Sequence, residues 1–204
     1  MALRKQNGFS LLELVITISI SLILGGITYM SLQPLLLQGH VNTGYEKTLM
    51  LLRNTRNQAI TQGHQYQINF TPSTVQVQYQ PPAVGGVLPP IQQVMTYTLP
   101  PDVSFATNGY PANAPDGFGT GLNALDFESS AQPGVPLAPP YLVFMPDGSA
   151  QDNLGNLLAS GVVYVTLPAG SKYSSKAITV WGATGRVRGW ALSQVAGVPT
   201  WVQE

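Results

Sequence analysis

The stretch NGFSLLELVITISISLI, residues 7–23, opens a run in which the segment from Phe9 to Leu32 carries one charge, Glu13. Its 24 residues would span roughly 36 Å as a helix, enough to cross a hydrocarbon core of about 30 Å. A single membrane helix is the plain reading. Arg4 and Lys5 precede the run and the next base is Lys47. Positive charge stays preferentially on the cytoplasmic side, so the C-terminal bulk is expected outside the inner membrane, in the periplasm. A carboxylate costs on the order of 2.5–3.5 kcal/mol at the centre of a bilayer helix and less near its end, so Glu13 calls for a partner or a task.

With 204 residues the chain can hold one domain and an appendage, and 44% hydrophobic against 9% charged residues is unusually apolar for a soluble enzyme. The formal net charge is zero, and a cut after Gly8 would leave seven bases against nine acids, a net charge of −2. Neither value suits a protein that coats nucleic acid. There is no cysteine, so the exported part must stand on its own core.

Beyond the membrane run, Val41, Tyr45, Leu49 and Leu52 recur at helical steps with polar residues between them. This predicts that the helix continues to about Thr61 and stops at Gly63, with Arg53 and Arg56 suiting the dipole of its end. Gly25, Gly26, Pro34, Gly39 and Gly44 are points where it could bend or locally melt. The period then changes. YQINF and VQVQY alternate, which places Tyr66, Ile68, Phe70, Val75, Val77 and Tyr79 on one face of a strand pair. Further strands are predicted at Gln93–Leu99, Tyr141–Met145, Gly161–Leu167, Ala177–Trp181 and Val187–Leu192. The expected organisation is a leader at 1–8, a transmembrane helix half at 9–33, an amphipathic half at 34–63 and an extracytoplasmic β domain at 64–204. Long turn-rich loops are expected at 80–92 and 107–140.

The segment GFSLLEL resembles the prepilin motif of type IV pilins and type II secretion pseudopilins. The resemblance implies that a membrane aspartyl peptidase cuts after Gly8 and methylates the new N-terminal residue, Phe9. Glu13, fifth from that cut, would then pair with the free amine of Phe9 in a neighbouring subunit. Such a pair attracts strongly at low dielectric and leaves neither ion alone once the subunits are in register. An ordinary signal peptide also has a basic region before an apolar run, but here the small residue stands before the run, not after it. A second block, LLRNTRNQAITQG, then VFMPDGSA, then AITVWGATGRVRGW, is similar in order and spacing to the minor pseudopilin H domain. The two resemblances touch about half of the chain and leave Pro81 to Pro140 unmatched. They imply an α+β fold, a long helix packed on an antiparallel two-sheet β-sandwich. The function implied is that of a minor pseudopilin of a type II secretion system, a non-catalytic subunit at or near the tip of a periplasmic pseudopilus. Its partners would be other pseudopilins or pilins, the prepilin peptidase, the inner-membrane assembly platform and the membrane. The alternative is a minor type IV pilin that binds DNA in pilus assembly or natural transformation.

Little supports catalysis: His40 and His64 have no acid or cysteine at ligand spacing, and no cofactor is expected. In PDGSAQDNLGN, Asp147, Ser149, Asp152 and Asn153 are hard oxygen donors without the calcium-loop spacing, so a turn is expected and not a metal. Charge distribution says more. Asp102 to Asp152 holds six acids and no base, whereas Asn153 to Gln203 holds Lys172, Lys176, Arg186, Arg188 and no acid. Tyr164, Tyr173, Trp181 and Trp190 are interleaved with those bases. Arg186 and Arg188 fall on one face of a strand and could grip phosphates of DNA with Lys172 and Lys176, or meet a partner. In the preferred reading they instead bind carboxylates or carbonyls of the acidic loops.

Overall fold

The computed structural model describes residues 10–79, 81, 90–107, 114–119, 123–138, 140–152, 157–168, 170 and 174–204. The chain divides into two compact units, residues 1–37 and 38–204.

Helix α1 runs Leu11–Gln62, unbroken through Gly25, Gly26, Pro34, Gly39 and Gly44. In the first unit its side chains are exposed all round, from Leu11 and Leu12 to Leu35 and Leu36. A helix that is apolar on every side needs lipid or other helices as its solvent. Its hydroxyls are absorbed locally: Thr17 donates to the Leu14 carbonyl, Ser19 to Val15, Ser21 to Thr17 and Thr28 to Leu24, at 2.8–2.9 Å. No free polar group is thereby presented to hydrocarbon by these four.

In the second unit the helix buries a stripe, Val41, Tyr45, Thr48, Leu52, Thr55 and Ala59, at alternating steps of four and three. Burying Leu52 fully is worth about 1.5–3 kcal/mol. The two threonines cost little there because their hydroxyls donate to the carbonyls of Gly44 and Leu51. Gly44 is not a weak point but a close contact: a Cβ on it would lie 3.2 Å from Leu99 and 3.4 Å from Pro100 and Val103. Gly63, at φ +69°, ends the helix as expected.

Two antiparallel sheets complete this unit. The first is ordered β3-β2-β1-β6-β7, from β1 (Tyr66–Phe70), β2 (Thr74–Tyr79), β3 (Gln92–Thr98), β6 (Tyr141–Phe144) and β7 (Ala150–Gln151). The second is ordered β11-β10-β9-β8-β4, from β4 (Ser104–Phe105), β8 (Ala159–Thr166), β9 (Lys176–Trp181), β10 (Arg186–Val195) and β11 (Val198–Gln203). Strand β5 (Leu125–Ser129) lies beside β4 on the same edge of β8. The sheets meet through aromatic rings: Phe70 of β1 packs on Phe105 of β4 and on Phe127 of β5, with centroids 5.7 and 5.6 Å apart. The α+β two-sheet architecture is that expected from the sequence.

The seven anticipated strands are present with ends shifted by a few residues. The stretch 107–140 is more than loop, since it carries β5 and a short 3-10 turn, Pro115–Gly117. Arg53 and Arg56 do not serve the end of the helix either, because its last turn has no base. The Arg56 Nε donates to the carbonyls of Gly148 (3.2 Å) and Thr184 (3.1 Å), and an Arg53 Nη nitrogen donates to Val187 (3.4 Å).

Candidate functional site

The processing residues Gly8 and Phe9 lie outside the described residues. Glu13 is exposed in the first turn of α1, three residues after Ser10, and the Leu14 amide donates to the Ser10 carbonyl at 3.1 Å. Ser-x-x-Glu at a helix start is a capping-box spacing, and a carboxylate there also faces the positive end of the dipole. The exposure of Glu13 leaves the carboxylate reachable by a second chain.

The four C-terminal cations have different surroundings. Lys172 lies outside the described residues. Lys176 forms an ion pair with Glu204, 5.2 Å from the Tyr45 ring centroid. Arg188 pairs with Asp116, Nη1 to Oδ1 at 2.7 Å, with side chains 24% and 7% exposed, so both charges are largely desolvated. The other Asp116 oxygen accepts from the Thr179 hydroxyl (2.6 Å) and the Trp181 indole (3.1 Å), and the Trp190 indole donates to Thr179 (3.0 Å). Phe118 packs edge-on against Trp181 at 4.9 Å. Strand register explains this convergence, because Arg186 stands opposite Trp181 and Arg188 opposite Thr179. This network seals one face of the second sheet, over the cluster of Val162, Tyr164, Ala177, Leu192 and Trp201.

Val187 and Gly189 belong to the opposite face. A Cβ on Gly189 would stand 1.8 Å from the Tyr45 hydroxyl, so β10 lies hard against the helix. Burial, and then the nearby Glu204 carboxylate, push the Tyr45 phenol above its ordinary range. Arg186, the first residue of β10, is exposed and has its backbone amide tied to Thr184.

Sequence reasoning weighed only one of the two Pro-Asp-Gly turns. At 146–148 the Asp147 carboxylate accepts the amide and hydroxyl of Ser149 at 2.8 and 2.7 Å, which lowers its pKa. Asp152 accepts the Leu157 amide at 3.2 Å. The identical tripeptide at 115–117 carries Asp116, held at φ +57°, a conformation that Asp tolerates better than most residues. Among the described residues no group of three or more His, Cys, Asp or Glu could hold a metal ion.

Residues 3–29 match the family model described as the prokaryotic N-terminal methylation motif. No curated protein and no solved structure matches the chain. The methylation motif, on an apolar helix long enough to cross a membrane, is consistent with membrane anchoring. A long apolar helix that packs on two antiparallel sheets beyond this motif is a pilin-like α+β organisation.

Proposed function

We propose that this chain is a minor pseudopilin of a type II secretion system, a non-catalytic subunit at or near the tip of a short periplasmic filament. The observation that carries the reading is the methylation motif at residues 3–29, placed on a helix that leads into a two-sheet domain. In this account the prepilin peptidase removes residues 1–8 and methylates Phe9, and the inner-membrane platform inserts the helix among those of other subunits. The N-terminus starts on the cytoplasmic side and the sheets lie in the periplasm.

Glu13 acts as the register device. While the subunit is alone the carboxylate is an expense; beside the Phe9 amine of a neighbour it is neutralised, so only the correct axial step leaves no ion unpaired. Pilin-like proteins are typically structural, and the paired Arg188 and Lys176 fit that pattern by tying the sheet to the 3-10 turn and to Glu204. A minor type IV pilin is the neighbouring reading within the same superfamily.

Glu13→Ala tests the mechanism. The variant should insert and fold but fail to enter filaments when expressed at the native level; normal incorporation would remove Glu13 from assembly. Deleting the gene separates the machines. Loss of secretion of folded proteins, with transformation intact, is expected for a pseudopilin, and the reverse outcome for a DNA-uptake pilin.

A further inference from the structure

Three arginines share one cleft. Arg53, Arg56 and Arg186 line a surface concavity of about 470 Å³ with Asn57, Thr184 and Val187. The ion pairs found among the described residues are Lys176–Glu204 and Arg188–Asp116, so none of the three has a carboxylate partner there. The cleft is also built. Among the described residues Arg56 is held by the Gly148 and Thr184 carbonyls through Nε, and its four other N–H donors make no hydrogen bond there. Gly185 (φ +57°) makes room for this, since a Cβ on it would lie 2.1 Å from the Gly148 carbonyl and 3.0 Å from the Arg56 Nε. Arg53 leans on the Val187 carbonyl, and the Arg186 side chain makes no hydrogen bond among the described residues.

We infer that this cleft binds a carboxylate-bearing segment of a neighbouring protein subunit. Three arginines line this concavity with no counter-charge found among the described residues, and an oxyanion seated there would take paired N–H donors and supply that charge. A phosphodiester backbone would need a track of cations beyond the cleft. Here the next cations along β9 and β10, Lys176 and Arg188, are already neutralised, and the chain as a whole has zero formal charge. A compact anion fits this isolated patch better than a long one. That the partner is another filament subunit rests on the assembly reading; the anion site itself does not.

The test uses the full-length chain in zwitterionic detergent, titrated by fluorescence anisotropy with a labelled polyglutamate peptide and, separately, a labelled short DNA duplex. The peptide should bind, and Arg186→Gln should weaken it about tenfold, the loss expected for one charge-assisted contact. Arg53→Gln with Arg186→Gln should weaken it further. Arg186→Gln should leave the melting temperature unchanged, because the side chain makes no hydrogen bond or ion pair among the described residues. Failure of the peptide to bind, equal binding by parent and Arg186→Gln, or a duplex bound more tightly than the peptide through Arg186 would each overturn the inference. Because binding is read on isolated chains, peptide binding with a failed Glu13 test keeps the cleft and discards the filament, and the opposite pair of results discards only the cleft.

Discussion

At the scale of single residues, the 3-10 turn is tied to the C-terminal sheet by Asp116, whose carboxylate takes one ion pair and two further hydrogen bonds. Asp116→Ala should cost about 1–3 kcal/mol of unfolding free energy, since it strands the buried Arg188 charge as well as two donors. Urea melts of the two single variants and of the Asp116→Ala/Arg188→Gln double variant check this. The double should cost clearly less than the sum of the singles. Tyr45 supplies a pH signature. Its pKa is raised from 10.0 in the fold, by burial before the Glu204 carboxylate, so the unfolded chain ionises this phenol first. The stability it contributes is therefore intact below about pH 10 and is lost as pH rises above it. Tyr66 and Tyr97 are raised as well, so Tyr45→Phe should remove part of the alkaline fall and not all of it. The charge contrast between the acidic middle and the basic end foretold an arginine–carboxylate bond. It did not identify the acid, because only the fold brings residue 116 beside residue 188.

At the scale of elements, the contact between α1 and β10 depends on Gly189, which leaves space for the Tyr45 hydroxyl. Gly189→Val would drive two methyl groups into that ring and the neighbouring Leu49. It should destabilise the domain by about 1–3 kcal/mol, read as a lower melting temperature with unchanged secondary structure. The same glycine shows what periodicity conveys and what it omits. Helical and alternating patterns located α1 and seven strands because each buries one regular face. Strands β4 and β7 are two residues long and have no period to read. The LDFES alternation of β5 is short and lies among turn formers, where the surrounding composition outweighed it. Strand β11 contains Pro199, which argues against a strand in the middle of a sheet but is tolerated here because β11 is an edge. Arg53 and Arg56 misled for a similar reason. Proximity to a helix end suggested the dipole, whereas the carbonyls they bind belong to two turns and to strand β10, distant in sequence.

At the scale of the whole molecule, one chain joins an apolar helix half, exposed on every side, to a second unit with its own sandwich core. A lone copy gains nothing from exposing that helix to water, so its apolar surface implies other hydrophobic partners, lipid first and neighbouring helices after assembly. The central claim is that the N-terminal segment is processed for this exchange, and the most direct measurement is the intact mass of the protein extracted from membranes of cells with an active prepilin peptidase. The account predicts a mature chain that begins at Phe9 with one methyl group on its amine, while peptidase-deficient cells keep residues 1–8. A chain beginning at Met1 despite active peptidase, or one cut beyond Leu24 as by a signal peptidase, would contradict it.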